Sequence, residues 1–229
     1  MKAVILAAGR GRRMGYLTKD LPKPLLKVRG KTLLDHIFES LPKNINEVIV
    51  VIGYKGDQIR LHLEKYYGTK KLLHFIHVKE LHKIAQSVLA VSKFFPESTK
   101  ERFLIIYGDE LPNRIEMKQC LAHRYSWLCH QINKSISAGA VKLGKNKRIL
   151  EVKEKRMGNK PPFLAAGGVM LVDSDIFGYK PRLHKSSKEY HVTSIMGQFI
   201  KDHQVYAVVG RPDWYLTSSK DIDRANKTP

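Results

Sequence analysis

Several features that define other classes of protein are scarce in this 229-residue sequence. It has only two cysteines, which excludes a disulfide scaffold and fits a reducing compartment. No apolar run approaches the roughly 20 residues of a membrane-spanning helix, so we exclude a transmembrane protein. The apolar run 3–8 is too short, and is followed too soon by arginines, for a secretory signal. We therefore expect a cytoplasmic protein without a membrane partner.

Acidic residues are also scarce, with 21 Asp and Glu against 41 Lys and Arg, which gives a net charge of +20 at pH 7. A field of this sign concentrates anions around the molecule. Nucleic acid, an anionic membrane surface and small phosphorylated metabolites are all compatible partners. A lysine-rich composition with solvated surfaces would explain much of the same charge without any partner. The positions of the cations along the chain must decide between these interpretations.

Apolar runs typical of strands alternate with amphipathic stretches typical of helices, which predicts an α/β protein. In the first half we predict strands at 2–7, 47–52, 72–78 and 102–107, with helices over 31–41, 57–67 and 85–95. Such crossovers produce a parallel sheet with helices on its faces. In the second half we predict helices over about 114–131, near 189–202 and from 219, and strands at 135–141, 149–153, 163–172 and 205–209. No linker interrupts the pattern, so we predict one domain over 1–229.

The turn after the first predicted strand combines glycines with cations, and reads LAAGRGRRMG over residues 6–15. Gly9 and Gly11 would let backbone amides approach a ligand closely, as a phosphate site after a strand requires. The turn is neither a Walker loop nor the dinucleotide-binding GxGxxG pattern. Cations are dense in the same stretch, at Arg10, Arg12, Arg13, Lys19 and Lys23. With Lys23 held extended between two prolines, the stretch predicts a triphosphate site; the alternative is a solvated basic loop.

Three segments near the N-terminus, LAAGRGRRM (6–14), LPKPL (21–25) and VRGKTLL (28–34), resemble the signature of the sugar-1-phosphate nucleotidyltransferase family. That signature is LAAGxGTR followed by PKP, and only its threonine is changed here, to Arg12. The resemblance extends through VVIGY (50–54), LIIYGD (104–109), EK (154–155), Gly167 and DIDRA (221–225). It implies a three-layer α/β/α sandwich around a mixed, mainly parallel sheet, with ligands across the carboxyl ends of the first strands.

The family includes glucose-1-phosphate thymidylyltransferases and mannose-1-phosphate guanylyltransferases. The resemblance therefore implies an Mg²⁺-dependent enzyme that joins a nucleoside triphosphate (NTP) and a sugar 1-phosphate and releases pyrophosphate. Because the attacking oxygen and the leaving pyrophosphate lie in line, the protein mainly positions the substrates and neutralises their charge. Residues 1–112 would bind the NTP and residues 113–229 the sugar 1-phosphate. The sequence does not decide whether the protein forms a homo-oligomer.

The resemblance also implies a role for each residue that matches the family pattern. The implied catalytic residues are Arg13 on the leaving pyrophosphate, Lys23 on the α-phosphate and Asp109 as the Mg²⁺ ligand. Nucleotide contacts are implied for Ala8, Gly9, Gly11, Arg12, Lys83 and Ile84. Acceptor contacts are implied for Gly108, Glu154, Lys155 and Gly167, with the glutamate on sugar hydroxyls and the lysine on the sugar phosphate.

The sequence departs from the family pattern at two places. VKELHKIA (78–85) stands where the family usually has QxxxGTA, so that Lys83 and Ile84 replace Gly-Thr and no nucleobase is predicted. In the C-terminal WxDxD/GT segment the closest register contains no carboxylate for a second metal contact, and places Thr217 there instead. Asp213 lies just upstream and would take that role only if the register slips.

These departures leave two alternatives to transfer onto a sugar 1-phosphate. The first is nucleotidyl transfer to another phosphorylated acceptor, such as phosphocholine. The second is a non-catalytic nucleotide-binding or RNA-binding regulatory relative, which would use the +20 charge; nucleic acid is otherwise not an expected partner.

Overall fold

A computed structural model describes residues 1–79, 84–154, 160–212 and 216–227 of the chain. In these residues the strands are β1 (Lys2–Ala7), β2 (Lys27–Val28), β3 (Lys31–Thr32), β4 (Glu47–Ile52), β5 (Leu72–His77), β6 (Arg102–Tyr107), β7 (Ser126–Ile132), β8 (Ala140–Leu143), β9 (Ile149–Lys153), β10 (Phe163–Asp173) and β11 (Tyr206–Gly210). The α-helices are α1 (Leu33–Ser40), α2 (Gly56–Tyr67), α3 (Ile84–Leu89), α4 (Arg114–Leu121), α5 (Thr193–Asp202) and α6 (Ser219–Lys227).

The main sheet has the strand order β11-β7-β10-β6-β1-β4-β5, with the β8–β9 hairpin joined to β10. The pairs β1–β4, β1–β6, β4–β5 and β7–β11 are parallel. β10 is antiparallel to both β6 and β7, so the sheet is mixed. The carboxyl ends of β1, β4 and β6 meet at one edge of this sheet, and that edge is where open α/β sheets bind their ligands.

The side chains of β1 alternate between two apolar cores, one on each face of the sheet. Ala3 and Ile5 pack in the core that contains α1, α2 and α4, whereas Val4 and Leu6 pack in the core that contains α3 and α5. A strand covered on both faces needs apolar residues at every position, which explains the continuous apolar runs of β1 and β4. The three-layer α/β/α sandwich is therefore confirmed.

The helix predicted over 114–131 is wrong in its second half. α4 ends at Leu121, and residues 126–132 form β7, which lies between β10 and β11. Because β7 is an interior strand, six of its seven residues are buried and the two-residue alternation of a half-exposed strand is absent. An apolar segment of this kind does not distinguish a buried strand from a buried helix by its periodicity.

Other boundaries also differ from the prediction, and the helix expected over 85–95 ends at Leu89. The strand expected at 135–141 forms only at Ala140–Leu143, and α5 begins at Thr193 rather than near residue 189. Residues 184–191 instead make a turn in which His184 and Glu189 pair through their backbones. Among the described residues, no helix combines the length and hydropathy that crossing a bilayer requires.

Candidate active site

A cavity of about 610 Å³ opens where β1 and β6 end. The predicted residues that line it are Gly9, Gly11, Arg12, Arg13, Lys23, Ile84, Gly108, Asp109, Glu154, Gly167 and Thr217. Ala8 is buried rather than among the lining residues, and Lys83, Lys155 and Asp213 lie outside the described residues. A broader depression of about 750 Å³ beside β5 contains none of the predicted residues. The structure thus brings the predicted residues from both halves of the chain to one cavity.

Gly11 fixes the path of the loop that follows β1. Its φ of +66° lies in the left-handed region that favours glycine. A Cβ atom at this position would lie 2.8 Å from the Cβ of Lys23. The backbone N–H of Met14 and the hydroxyl of Thr18 both donate to the Gly11 carbonyl. Gly11 therefore closes the loop and lets Lys23 pack against it.

We expect two glycine substitutions in this loop to affect different properties, one the stability of the fold and the other the binding of the NTP. Gly11→Ala should lower the free energy of unfolding by about 1–2 kcal/mol from the left-handed backbone alone, and the added Cβ should displace Lys23. Gly9→Ala meets no atom within 4 Å and should leave stability unchanged, while it obstructs a phosphate that approaches the backbone. Urea denaturation and NTP titration of both variants measure the two effects. A Gly11→Ala protein as stable as wild type would show that this φ is not required.

Tyr54, which follows β4, holds the basic loop in place. Its backbone N–H donates to the Ala8 carbonyl at 3.0 Å, and its hydroxyl donates to the carbonyls of Thr18 and Lys19 at 2.9 Å. The Arg10 guanidinium lies over the Tyr54 ring, 5.2 Å from its centroid. Arg10 is thus stacked on the protein, as cation–π geometry favours.

Arg12 and Arg13 are exposed at the cavity, as Arg10 is, but no stacking contact of the kind that Arg10 makes with Tyr54 is described for them. Neither guanidinium has an ion-pair partner in the part of the chain that the structure describes. An unpaired guanidinium offers several N–H donors to a phosphate in a geometry that permits two parallel hydrogen bonds. These two residues therefore supply free positive charge to the cavity.

Lys23 and Asp109 form an ion pair in the wall of the cavity. The Lys23 Nζ atom lies 2.5 Å from Asp109 Oδ2 and donates to the Leu216 carbonyl at 2.6 Å. The Lys23 side chain is 12% exposed and that of Asp109 is 40% exposed, so the carboxylate is the more accessible of the two groups from the cavity. The predicted extended conformation of Lys23 is wrong, because Pro22 is extended but Lys23 begins the 3-10 turn Lys23–Leu25.

Gly108 places Asp109 beside the end of β1. Its N–H donates to the Leu6 carbonyl at 2.9 Å, which continues the pairing of β6 with β1. A Cβ at Gly108 would lie 3.1 Å from both the Ala7 Cα and the Leu6 carbonyl oxygen. The close approach of two backbones therefore requires glycine here, and it carries Asp109 to the loop that bears the arginines.

Glu110 is a functional-site residue that the sequence analysis missed. Its Oε2 accepts the Gly168 N–H at 2.6 Å, and its Oε1 lies 3.1 Å from His130 Nε2. The other ring nitrogen of His130, Nδ1, lies 2.8 Å from the Arg211 carbonyl. Since both ring nitrogens face acceptors, the ionised Glu110 is best satisfied by a doubly protonated His130. This buried pair connects the turn after β6 to β7 and β10.

Burial opposes the charge on His130, but the hydrogen bond and charge of Glu110 raise the pKa of His130 above its ordinary value of 6.5. The folded state therefore binds more protons than the unfolded state between the two pKa values. The stabilisation is complete below about pH 6.5 and is lost as the pH rises through the folded pKa. We expect the stability difference between wild type and Glu110→Gln, measured by urea denaturation, to shrink over that range.

The matched control for this pH dependence is Glu64→Gln, which removes a surface carboxylate paired with Arg60 at 2.8 Å. Because that pair contains no histidine, its contribution should stay constant over the same pH range. A Glu110→Gln difference that grows with rising pH would contradict the assignment of charge to His130.

We call the lining residues from Trp127 to Thr193 the second-half wall of the cavity. Its charge differs from that of the loop after β1. Glu154 follows β9, and its Oε2 accepts the Thr193 hydroxyl at 2.9 Å. Burial, followed by the charges of Glu154, Asp109 and Glu110, raises the pKa of the neighbouring Tyr107, so its hydroxyl stays protonated. No Lys or Arg lies among the described residues of this wall, whereas the loop after β1 supplies three arginines.

Gly167 lies in this wall, where its contact with the acceptor stays a prediction, and the fold itself also needs a glycine here. A Cβ at this position would meet the Leu128 carbonyl at 2.7 Å and the His130 ring at 3.0 Å. Its carbonyl accepts the Trp127 indole N–H at 2.8 Å. The protein's own packing against β7 therefore requires this glycine.

The C-terminal segment reaches the cavity through Leu216 and Thr217. The Thr217 and Ser218 hydroxyls and backbone N–H groups all donate to Asp221 Oδ2 at 2.9–3.0 Å. Burial opposes the charge of Asp221, but these hydrogen bonds lower its pKa below the ordinary value. Asp221 thus fixes the turn whose Leu216 carbonyl holds Lys23.

The fold and the cavity are those of an α/β protein with a loop rich in glycine and arginine at the carboxyl end of a parallel strand, the place where such proteins bind their ligands. A model of the nucleotidyl transferase family matches residues 2–217, and the chain belongs to that family.

The chain is also similar to curated proteins of known name. It is 27% identical, over 99% of its length, to the bifunctional protein GlmU of Methanocaldococcus jannaschii, of which it covers 54%. It is 28% identical to the D-glycero-α-D-manno-heptose 1-phosphate guanylyltransferase of Aneurinibacillus thermoaerophilus, with 97% of this chain and 98% of that protein covered. The chain spans about half the length of the bifunctional curated relatives it matches.

The solved structures share the fold. A UDP-glucose pyrophosphorylase complexed with UDP-glucose superposes with a TM-score of 0.83 at 17% identity, over 98% of this chain and 96% of that one. The CTP:phosphocholine cytidylyltransferase of Streptococcus pneumoniae superposes with a TM-score of 0.77 at 20% identity, over 99% and 97%. At these identities the likeness establishes the architecture.

Proposed function

We propose that the chain is a nucleotidyltransferase that joins an NTP and a sugar 1-phosphate to give an NDP-sugar and pyrophosphate. The observation that carries this proposal is the convergence of Arg12, Arg13, Lys23 and Asp109 on one cavity whose other wall lacks cations among the described residues. A triphosphate needs concentrated positive charge, and the hydroxyls of a sugar need hydrogen-bonding groups such as the Glu154 carboxylate and the Thr193 hydroxyl. The cavity offers both, one on each wall.

In this proposal each residue positions a phosphate or neutralises its charge. Arg13 binds the leaving pyrophosphate, and the backbone N–H groups of the loop at Gly9 and Gly11 approach the same phosphates. Lys23 reaches the α-phosphate from its place against Leu216, where the charge of the transition state develops. The acceptor's phosphate oxygen then attacks in line, because both substrates are held in one cavity.

The residues present fit an Mg²⁺ ion that is shared between the protein and the phosphates. Asp109 offers one accessible carboxylate, and Glu110 is already engaged with Gly168 and His130. Mg²⁺ is commonly bound by one or two carboxylates, with substrate phosphates and water completing its coordination. When bound, the ion would neutralise charge on the phosphates. Lys23 bonds Oδ2 of Asp109, and no hydrogen bond engages Oδ1 in the described part of the chain. A metal ion on this carboxylate would weaken its pairing with Lys23, which would then be available to a phosphate.

The second-half wall supports a sugar over phosphocholine as the acceptor. A quaternary ammonium is recognised by open aromatic faces. Among the described residues of the second-half wall, Trp127 is only 1% exposed and uses its indole N–H on Gly167; Tyr107, at the end of β6, also lines the cavity and is half-buried. Glu154 and Thr193 instead present the carboxylate and hydroxyl groups that bind sugar hydroxyls.

Pyrophosphate release by the purified protein tests the proposal. Each of the four common NTPs is combined with a panel of sugar 1-phosphates, or with phosphocholine, in the presence of Mg²⁺. We expect release that requires both substrates and that at least one sugar 1-phosphate supports. Release with phosphocholine alone would assign the other acceptor class. If no substrate combination gives pyrophosphate and the protein binds RNA in a salt-sensitive way, the non-catalytic alternative is established instead.

A further inference from the structure

The turn between β10 and α5 brings three polar side chains to the second-half wall, and the proposed mechanism uses none of them. His184 Nδ1 lies 3.0 Å from the Ser187 hydroxyl oxygen, which lies 2.8 Å from His191 Nε2. The two imidazole rings are edge-on, with centroids 5.5 Å apart. All three residues line the cavity, and we call His184, Ser187 and His191 the polar array.

The contacts around His184 Nδ1 favour one tautomer of this ring. The backbone N–H of Ser187 donates to His184 Nδ1 at 3.4 Å, so this nitrogen carries the lone pair and the proton of the neutral ring lies on Nε2. The Ser187 hydroxyl then donates to the same Nδ1 and accepts from His191 Nε2. His184 Nε2–H has no protein acceptor among the described residues, and it is the donor that the array offers to a ligand.

The backbone holds the turn rigidly in the wall. The His184 N–H donates to the Glu189 carbonyl and the Lys188 N–H donates to the His184 carbonyl, both at 2.9 Å. The Tyr190 carbonyl accepts the N–H of Ala85 at 2.9 Å, which joins the turn to the start of α3. The array is therefore placed by two separate parts of the fold.

We propose that His184 is a specificity-determining residue whose Nε2–H donates a hydrogen bond to a hydroxyl oxygen of the acceptor sugar. This inference rests on the proposed function and names the part of the acceptor that the site reads. Glu154 Oε2 is engaged with Thr193, whereas its Oε1 has no partner in the described part of the chain. A carboxylate acceptor and an imidazole donor on one wall together match neighbouring sugar hydroxyls, which both donate and accept.

The charges in this wall favour a hydroxyl over a phosphate as the partner of His184. The described charged side chains facing the array are the carboxylates Glu154 and Glu189, which would repel a phosphate. The phosphate of the acceptor is better placed toward cations, which are Lys23 and the arginines of the loop after β1 in the described part of the chain and Lys155, outside it, in the family pattern. In this arrangement His184 contacts a hydroxyl of the sugar ring, and the cations contact the phosphates.

Steady-state kinetics of two His184 variants test this inference. His184→Leu removes the donor and should raise KM for the sugar 1-phosphate about tenfold or more, with KM for the NTP unchanged. His184→Gln keeps an N–H donor near the Nε2 position and should stay close to wild type. Ser187→Ala removes the hydroxyl that orients His184, and its KM for the sugar 1-phosphate should lie between those of His184→Leu and His184→Gln. The matched control is His123→Leu, because His123 stacks on Tyr206 and does not line the cavity.

Monodeoxy forms of the accepted sugar 1-phosphate identify the hydroxyl. Wild type should lose affinity for one of them, and His184→Leu should bind that same form no more weakly than the parent sugar phosphate. Equal KM values for wild type and His184→Leu would overturn the inference while leaving the proposed function intact. Parallel losses in melting temperature and in NTP binding by His184→Leu and His184→Gln would assign His184 a structural role and also overturn it. Wild-type silence with every sugar 1-phosphate overturns both proposals.

Discussion

Replacing Lys23 with methionine should lower kcat/KM for NDP-sugar formation by about 10²–10³, the usual cost of removing one preorganised donor from a developing anion. Methionine keeps most of the side-chain volume against Gly11 but removes the charge. Because Lys23 is 12% exposed and held by the Leu216 carbonyl, solvent or a neighbouring cation cannot easily replace it. We expect a larger effect on kcat than on KM for the NTP, since the charge on the α-phosphate grows in the transition state.

The matched control is Lys19→Met in the same basic stretch, where the side chain is exposed. This variant removes an equal charge from the chain, and should change turnover little and only at low ionic strength. Equal losses in the two variants would show that the general positive field, rather than the position of Lys23, drives the reaction. A fully active Lys23→Met protein would remove this lysine from the mechanism.

Replacing Asp109 with asparagine should abolish the dependence of turnover on Mg²⁺ and lower kcat by about 10³, because the metal contributes several kcal/mol of charge stabilisation. The same variant should lose Mn²⁺ binding in the presence of the NTP, measured by electron paramagnetic resonance, which reports on the ion independently of catalysis. Asparagine retains the shape of the side chain beside Lys23, so the fold should persist.

Asp20→Asn is the control for this substitution, because Asp20 is 89% exposed and lies 3.7 Å from Lys55. It should keep both Mn²⁺ binding and turnover. Full Mg²⁺-dependent turnover by Asp109→Asn would exclude the carboxylate as the metal ligand. In that case the C-terminal segment, which includes Asp213 outside the described residues and Thr217 in the cavity wall, would be the next place to search.

The first half of the fold was predictable because each of its strands can be recognised from its own local sequence. EVIVVI at β4 and RFLIIY at β6 are each buried on both faces and bounded by polar or glycine-containing turns. The loop after β1 was equally visible, since glycines and arginines fall within ten residues of sequence. Local patterns of this kind fix both the strand and its functional loop.

The residues that were missed depend on contacts between distant parts of the chain. Glu110 pairs with His130 across 20 residues, and His130 was itself assigned to a helix because β7 was not recognised. His191 was covered by a helix predicted to begin near residue 189, although α5 begins at Thr193, and His184 fell in a stretch for which no element was predicted. No spacing rule marks such groups, because their partners meet only in the folded chain. The division of the domain at residue 112 stays a prediction.

A crystal structure of the protein with an NTP and Mn²⁺, phased on the anomalous signal of the metal, tests the central claim most directly. We expect one Mn²⁺ peak at coordination distance from the Asp109 carboxylate and from the phosphates, with Lys23 moved from Asp109 to the α-phosphate and Arg13 on the terminal phosphates. A triphosphate bound away from the loop at residues 9–13, or a metal with no contact to Asp109, would contradict the account.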